Sequence, residues 1–108
     1  MRTTSKGILV TKKGTKEGYF PIFIDDRDFV HSVLAEAMEQ WKQRETKDAV
    51  HDGMEFFEIA NAIGKERTKY HQFIGAESIP ERELEAGFNQ ASYIFAVDFK
   101  EGKIRKVK

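Results

Sequence analysis

Asp48, His51, Asp52 and Glu55 follow one another at helical steps, so a helix would bring their oxygen and nitrogen donors to one face. That donor set suits a divalent cation. Ordinary solvated charge accounts for the same residues, Asp52-Gly53 interrupts the run, and no second donor set accompanies it. No metal site is therefore expected. Asp25, Asp26 and Asp28 in "IDDRD" stand where a strand ends, a position from which carboxylates serve Mg²⁺-dependent phosphoryl chemistry. Capping of the helix that follows explains them with fewer assumptions. There is no Gly-rich phosphate loop, no Gly-x-Ser-x-Gly and no His-Glu-x-x-His. With no cysteine, and no serine set beside a base in pattern, nucleophilic catalysis has no footing. The expectation is a non-enzymatic protein that needs no cofactor.

The cationic residues offer a different chemistry. "EIANAIGKERTKYHQFI", residues 58–74, carries Lys65, Arg67, Thr68, Lys69, His71 and Gln72 after a glycine. Ala60 stands four residues before Gly64, Ile59 and Ile63 flank them, and Tyr70 follows the glycine by six. Over about residues 55–75 this spacing resembles the helix-turn-helix family of nucleic-acid-binding motifs. The resemblance implies that Arg67, Thr68, His71 and Gln72 face a groove, where arginine forks onto guanine and glutamine onto adenine. Lys65 and Lys69 would then neutralise phosphates.

A second cationic group closes the chain, with Lys100, Lys103, Arg105 and Lys106 around "KEGK". In the same resemblance this basic hairpin acts like a wing. The rings of Tyr19, Tyr93, Phe95 and Phe99 near these cations could stack on bases, although an alternating aromatic strand is ordinarily a core face. The formal net charge is zero, yet residues 1–17 hold five basic residues against one acidic, and residues 100–108 repeat that balance. The middle, 18–99, holds eight basic against sixteen acidic. If the two ends fold beside each other, the molecule has a basic pole and an acidic helical side.

Nucleic acid is thus the leading partner, in the manner of a DNA regulator. The alternative is a protein-binding accessory or inhibitor, whose acidic helical face (Glu36, Glu39, Glu55, Glu58, Glu81 and Glu85 among others) meets a basic protein, as a nucleic-acid mimic would.

The elements that must position these groups are legible from period and punctuation. "GILVT" (7–11) and "YFPIFI" (19–24), separated by a polar glycine-containing loop, read as a hairpin. The second run is apolar on both faces, which leaves one for a partner subunit, so a homodimer is an expectation. Phe29, Val30, Val33, Leu34, Ala37, Met38 and Trp41 recur at three- and four-residue steps, predicting a helix over 27–44. "ETKDAVHDGMEFFEIANAIG" reads either as one helix with Gly53 inside it or as a turn and a second helix from about Met54 to Ile63, with Gly64 as its left-handed stop, and a third follows over 66–74. Ser78 and Glu81 make a capping-box pattern opening a fourth, to about Ala86. "SYIFAVDF" alternates and turns back as "IRKVK".

The order is ββ-αααα-ββ. It predicts one α+β domain over 1–108, with the N- and C-terminal hairpins forming an antiparallel sheet and about four helices on one side. Apolar residues at 40% supply one core, and nine Phe make it aromatic. No apolar run is long enough to span a membrane or serve as a secretory signal. A cytoplasmic location is compatible with the absence of cysteine.

Overall fold

The computed structural model describes residues 6–13, 16–43, 52–67, 73–75 and 77–108. In chain order these form β1 (Gly7–Lys13), β2 (Lys16–Ile22), α1 (Arg27–Lys42), α2 (Asp52–Arg67), a 3₁₀ turn (Glu81–Glu83), α3 (Leu84–Gln90), β3 (Tyr93–Asp98) and β4 (Lys103–Lys106). The fold is α+β, as composition and period predict. Three features differ from expectation: the strand pairing, the number of helices and their distribution over the sheet.

The sheet is mixed rather than antiparallel. Its order is β2-β1-β3-β4, with β1 parallel to β3 and both outer pairs antiparallel. The cause lies in the path of the helices. β2 ends at Ile22, and α1 then runs the length of the sheet to bring Trp41 against Phe99. α2 begins near that end, with Phe56 on Phe99, and returns. By Phe73 the chain is back at the end of β2, where the Phe73 carbonyl accepts a hydrogen bond from the Phe23 amide. An outward and a return helix leave β3 starting where β2 stopped, so β3 must run alongside β1 in the same direction. β1 and β3 thereby take the centre; the outer edge of β2 is met by Ile74, Gly75 and Ile79, and β4 carries Lys103, Arg105 and Lys106 at the other edge, where such charges discourage further pairing.

Three α-helices stand among the described residues, not four. α1 matches its predicted span closely, and Asp26 caps it by accepting from the Phe29 amide at 3.1 Å. α2 continues through Gly64 to Arg67, so this glycine is an interior residue and not a stop. Its lack of a side chain serves packing: a Cβ here would lie 2.7 Å from the Phe73 ring. Of the helix expected over 66–74, the first two residues belong to α2, and 73–75 are extended along the edge of β2. The Gly75 amide donates to the Pro21 carbonyl and that of Ile79 to the Tyr19 carbonyl. Because residue 79 is held there, the Ser78 capping box does not form; the turn opens at Glu81 after Pro80, with no side-chain cap.

The helices occupy both sides of the sheet, not one. α1 and α2 pack on the face carrying Leu9, Ile22, Tyr93, Phe95 and Val97, which forms the main core. Tyr93 is fully buried, and its hydroxyl donates to the Ile24 carbonyl at 2.5 Å. α3 covers part of the other face, where Ile8, Ile94 and Ala91 are buried and Val10, Tyr19, Ile79 and Phe88 pack around them. Among the described residues, no helix is long and apolar enough to cross a membrane.

Candidate nucleic-acid interface

Parallel pairing of β1 with β3 has one direct result for charge. The β1–β2 turn and the β3–β4 turn lie at the same end of the sheet, because Lys12 is the register partner of both Glu17 and Asp98, and Asp98 that of Lys103. Over residues 12–17 and 98–106 these tips carry seven basic residues against three acidic ones. Part of the uneven charge of the two chain ends thus gathers at one end of the fold, while Lys6 and Lys108 lie toward the other. Such clustering raises the local concentration of polyanions around it.

The β3–β4 tip is ordered by its own backbone. Gly102 adopts φ 66°, the left-handed conformation a side chain resists, and its amide donates to the Asp98 carbonyl at 2.8 Å. Asp98 also accepts from the Glu101 amide at 3.1 Å. Arg105 Nη2 lies 3.2 Å from Glu101 and 3.6 Å from Asp98, while Lys103 Nζ is 4.0 Å from Glu101. These exposed pairs each contribute about 0–1 kcal/mol, so a phosphate can displace them readily. Lys100 and Lys106 are exposed. Lys106 sits opposite Phe95, on the helix-covered side of β4, and Arg105 opposite Ala96 on the other side.

On that other side burial decreases from Ile8 and Ile94 toward the tips, where Lys12, Lys103 and Arg105 are exposed. Alternation and register set a row across all four strands: Tyr19, Val10, Ala96 and Arg105. The next row toward the tips reads Glu17, Lys12, Asp98 and Lys103. Tyr19, Val10 and Ala96 are each half-buried. The Tyr19 ring meets Phe88 of α3 edge to face at 5.4 Å. Its hydroxyl donates to the Glu17 carboxylate, and that bond, with burial and the carboxylate charge, raises the Tyr19 pKa above its ordinary value. Tyr93, Phe95 and Phe99, grouped with Tyr19 by sequence, are instead part of or packed against the main core on the helix side.

Within the 58–74 segment, Arg67 lies away from this end. Arg67 closes α2 and turns toward α1, pairing with Glu36 and donating from Nη1 to Ser32 Oγ at 2.9 Å. Lys42 of the same helix lies over Gly102 at the β3–β4 tip. Six residues of helix, about 9 Å, separate Glu36 from Lys42. Arg67 and the tips are therefore distinct charge groups. Lys65 is exposed on α2. Thr68, Lys69, His71 and Gln72 lie outside the described residues, as does the second helix that the helix-turn-helix resemblance implies. Asp48 and His51 of the weighed metal set lie outside them too, and among the described residues no group of three His, Asp or Glu converges.

Glu58 and Glu66 flank an open groove between α1 and α2, lined also by Gln40, Ile59, Ala62 and Ile63. Glu36 and Glu39 are engaged by Arg67 and Lys42. Sequence reading missed the division of roles between Tyr19 and the other rings, for which α3 supplies the only signal. Comparison with known proteins returns no match: no family model, no curated protein and no solved structure.

Proposed function

We propose that this protein is a non-enzymatic binding module that engages nucleic acid through the paired hairpin tips. The observation that carries this reading is the parallel β1–β3 register, which brings Lys12 of one hairpin and Lys103 and Arg105 of the other to the same end and face of the sheet, with Asp98 between Lys12 and Lys103. Lys100 and Lys106 extend the same basic end. Their role is to neutralise phosphates and release counterions, a sequence-independent attraction. Arg67 is left out of this reading because it lies away from the tips, against Glu36 and Ser32 of α1.

The test is a fluorescence-anisotropy titration with mixed-sequence DNA and RNA at low ionic strength, repeated as salt rises. Affinity should fall steeply, with log K dropping against log salt by about 0.9 per duplex phosphate neutralised. The double reversal Lys103→Glu, Arg105→Glu should flatten that slope by about two. Absence of binding at the lowest salt sinks the proposal.

A second reading rests on the groove between α1 and α2. Its apolar floor of Ile59, Ala62 and Ile63 between Glu58 and Glu66 suits a basic amphipathic helix, with an apolar residue seated between two cations. A synthetic Lys/Arg-rich amphipathic peptide that binds, and is lost on Glu58→Lys with Glu66→Lys, would favour this protein-binding role. A peptide whose affinity survives that double reversal rules the groove out.

A further inference from the structure

We infer that the half-buried row of the sheet's second face at the margin of α3 is a stacking platform for single-stranded nucleic acid, with Tyr19 taking a base and Lys12, Lys103 and Arg105 meeting its phosphates. This rests on the nucleic-acid reading above and narrows it from polyanions in general to unpaired strands.

The row Tyr19, Val10, Ala96, Arg105 crosses three strand spacings, about 14 Å. An aromatic ring, which stacks on bases, stands at one end, and a guanidinium suited to phosphate stands at the other. Between them the floor is two small aliphatic side chains, Val10 and Ala96. So narrow an apolar strip lacks the large anchors around which a protein partner packs, but a planar base needs little more than a smooth surface. Toward the tips, the row of Glu17, Lys12, Asp98 and Lys103 alternates in sign. Both carboxylates on this face already have partners, Glu17 in the Tyr19 hydroxyl and Asp98 in Arg105. Lys12 and Lys103 border the strip and face the more basic tips, so a strand whose base lies on Tyr19 can run its backbone along them. A duplex keeps its bases stacked on one another and offers none to the ring. It gains only the charge of the tips.

The experiment compares one mixed-sequence DNA oligonucleotide as a single strand and as a duplex, at fixed low salt, with the full chain. The wild type should favour the single strand. Tyr19→Leu should weaken single-strand binding about tenfold and leave duplex binding unchanged, whereas Tyr19→Phe should keep single-strand affinity to within about twofold. Ultraviolet cross-linking of the wild type, independent of any effect of substitution on folding, should place the strand on the peptide containing Tyr19. Equal affinity for both forms, with cross-links only at the tips, overturns the platform and leaves the hairpin-tip reading standing. Equal losses in Tyr19→Phe and Tyr19→Leu also overturn it, because the hydroxyl and not the ring would then be responsible. No binding of either form overturns both.

Discussion

The side-chain oxygen of Asn61 accepts hydrogen bonds from the backbone amides of Phe73 at 3.0 Å and Ile74 at 3.1 Å, and its amide nitrogen donates to the Ile74 carbonyl at 3.4 Å. One half-buried carboxamide on α2 thus fastens the returning chain, and the same residues then bridge to the edge of β2 through Ile22 and Phe23. Asn61→Ala leaves those amides short of a partner and should destabilise the fold by about 1–3 kcal/mol in urea titrations. Asn61→Asp retains the accepting oxygen and should cost less than alanine.

Gly64 and Phe73 make the next prediction. Glycine inside a helix ordinarily costs about 1 kcal/mol relative to alanine. At this position a Cβ would meet the Phe73 ring at 2.7 Å, so Gly64→Ala should destabilise instead, by about 1–3 kcal/mol in denaturant midpoints. Trimming the ring with Phe73→Leu in the same chain should recover part of that loss, a coupling that a thermodynamic cycle would measure.

Arg67 and the tips can be told apart by two readouts at once. The pair with Glu36 is about two-fifths exposed on each side, so Arg67→Ala should cost about 1 kcal/mol of stability or less. Its effect on DNA affinity should be no greater. The reversal at Lys103 and Arg105 should do the opposite, lowering affinity with little change in stability. If Arg67→Ala removes binding, the hairpin tips are not the interface.

Alkaline pH should loosen the core through Tyr93. Burial, followed by the charges of Asp25 and Asp26, raises its pKa above the ordinary tyrosine value of 10.0. A phenol whose folded pKa is raised contributes its full stability below the unfolded pKa, and that stability is lost as pH rises from there through the folded pKa. The urea midpoint should therefore fall once pH passes the ordinary tyrosine value. Tyr93→Phe should be less stable at neutral pH, lacking the hydrogen bond to Ile24, and should flatten the alkaline decline. An alkaline decline as steep in Tyr93→Phe as in the wild type would assign it to another group.

What could be read beforehand was whatever a local period encodes. The stripe from Phe29 to Trp41 has one interpretation, and α1 follows it; the alternation in "SYIFAVDF" likewise puts Tyr93, Phe95 and Val97 on one side. Gly64 misled because a helix stop and a close ring contact call for the same residue, and the ring belongs to a segment that returns only at residue 73. Arg67 depended on Glu36, which lies 31 positions earlier. Within "YFPIFI" both alternate faces are apolar, so nothing local says that Phe20 joins the main core while Tyr19 joins the smaller cluster under α3. The basic end was foreshadowed by charge, but only the direction of β3 brings the two turns together.

That direction also constrains how the chain folds. The hairpin of β1 and β2 can close by itself from neighbours in sequence, yet Gly7 waits for Tyr93 and Lys12 for Asp98. Until nearly the whole chain has been made, β1 keeps one apolar edge with its backbone groups unpaired. Non-local parallel pairing of this kind is slow to form and leaves such edges open to other chains meanwhile. The arrangement that unites the cationic tips therefore leaves the sheet to be sealed by strands made more than eighty residues after β1.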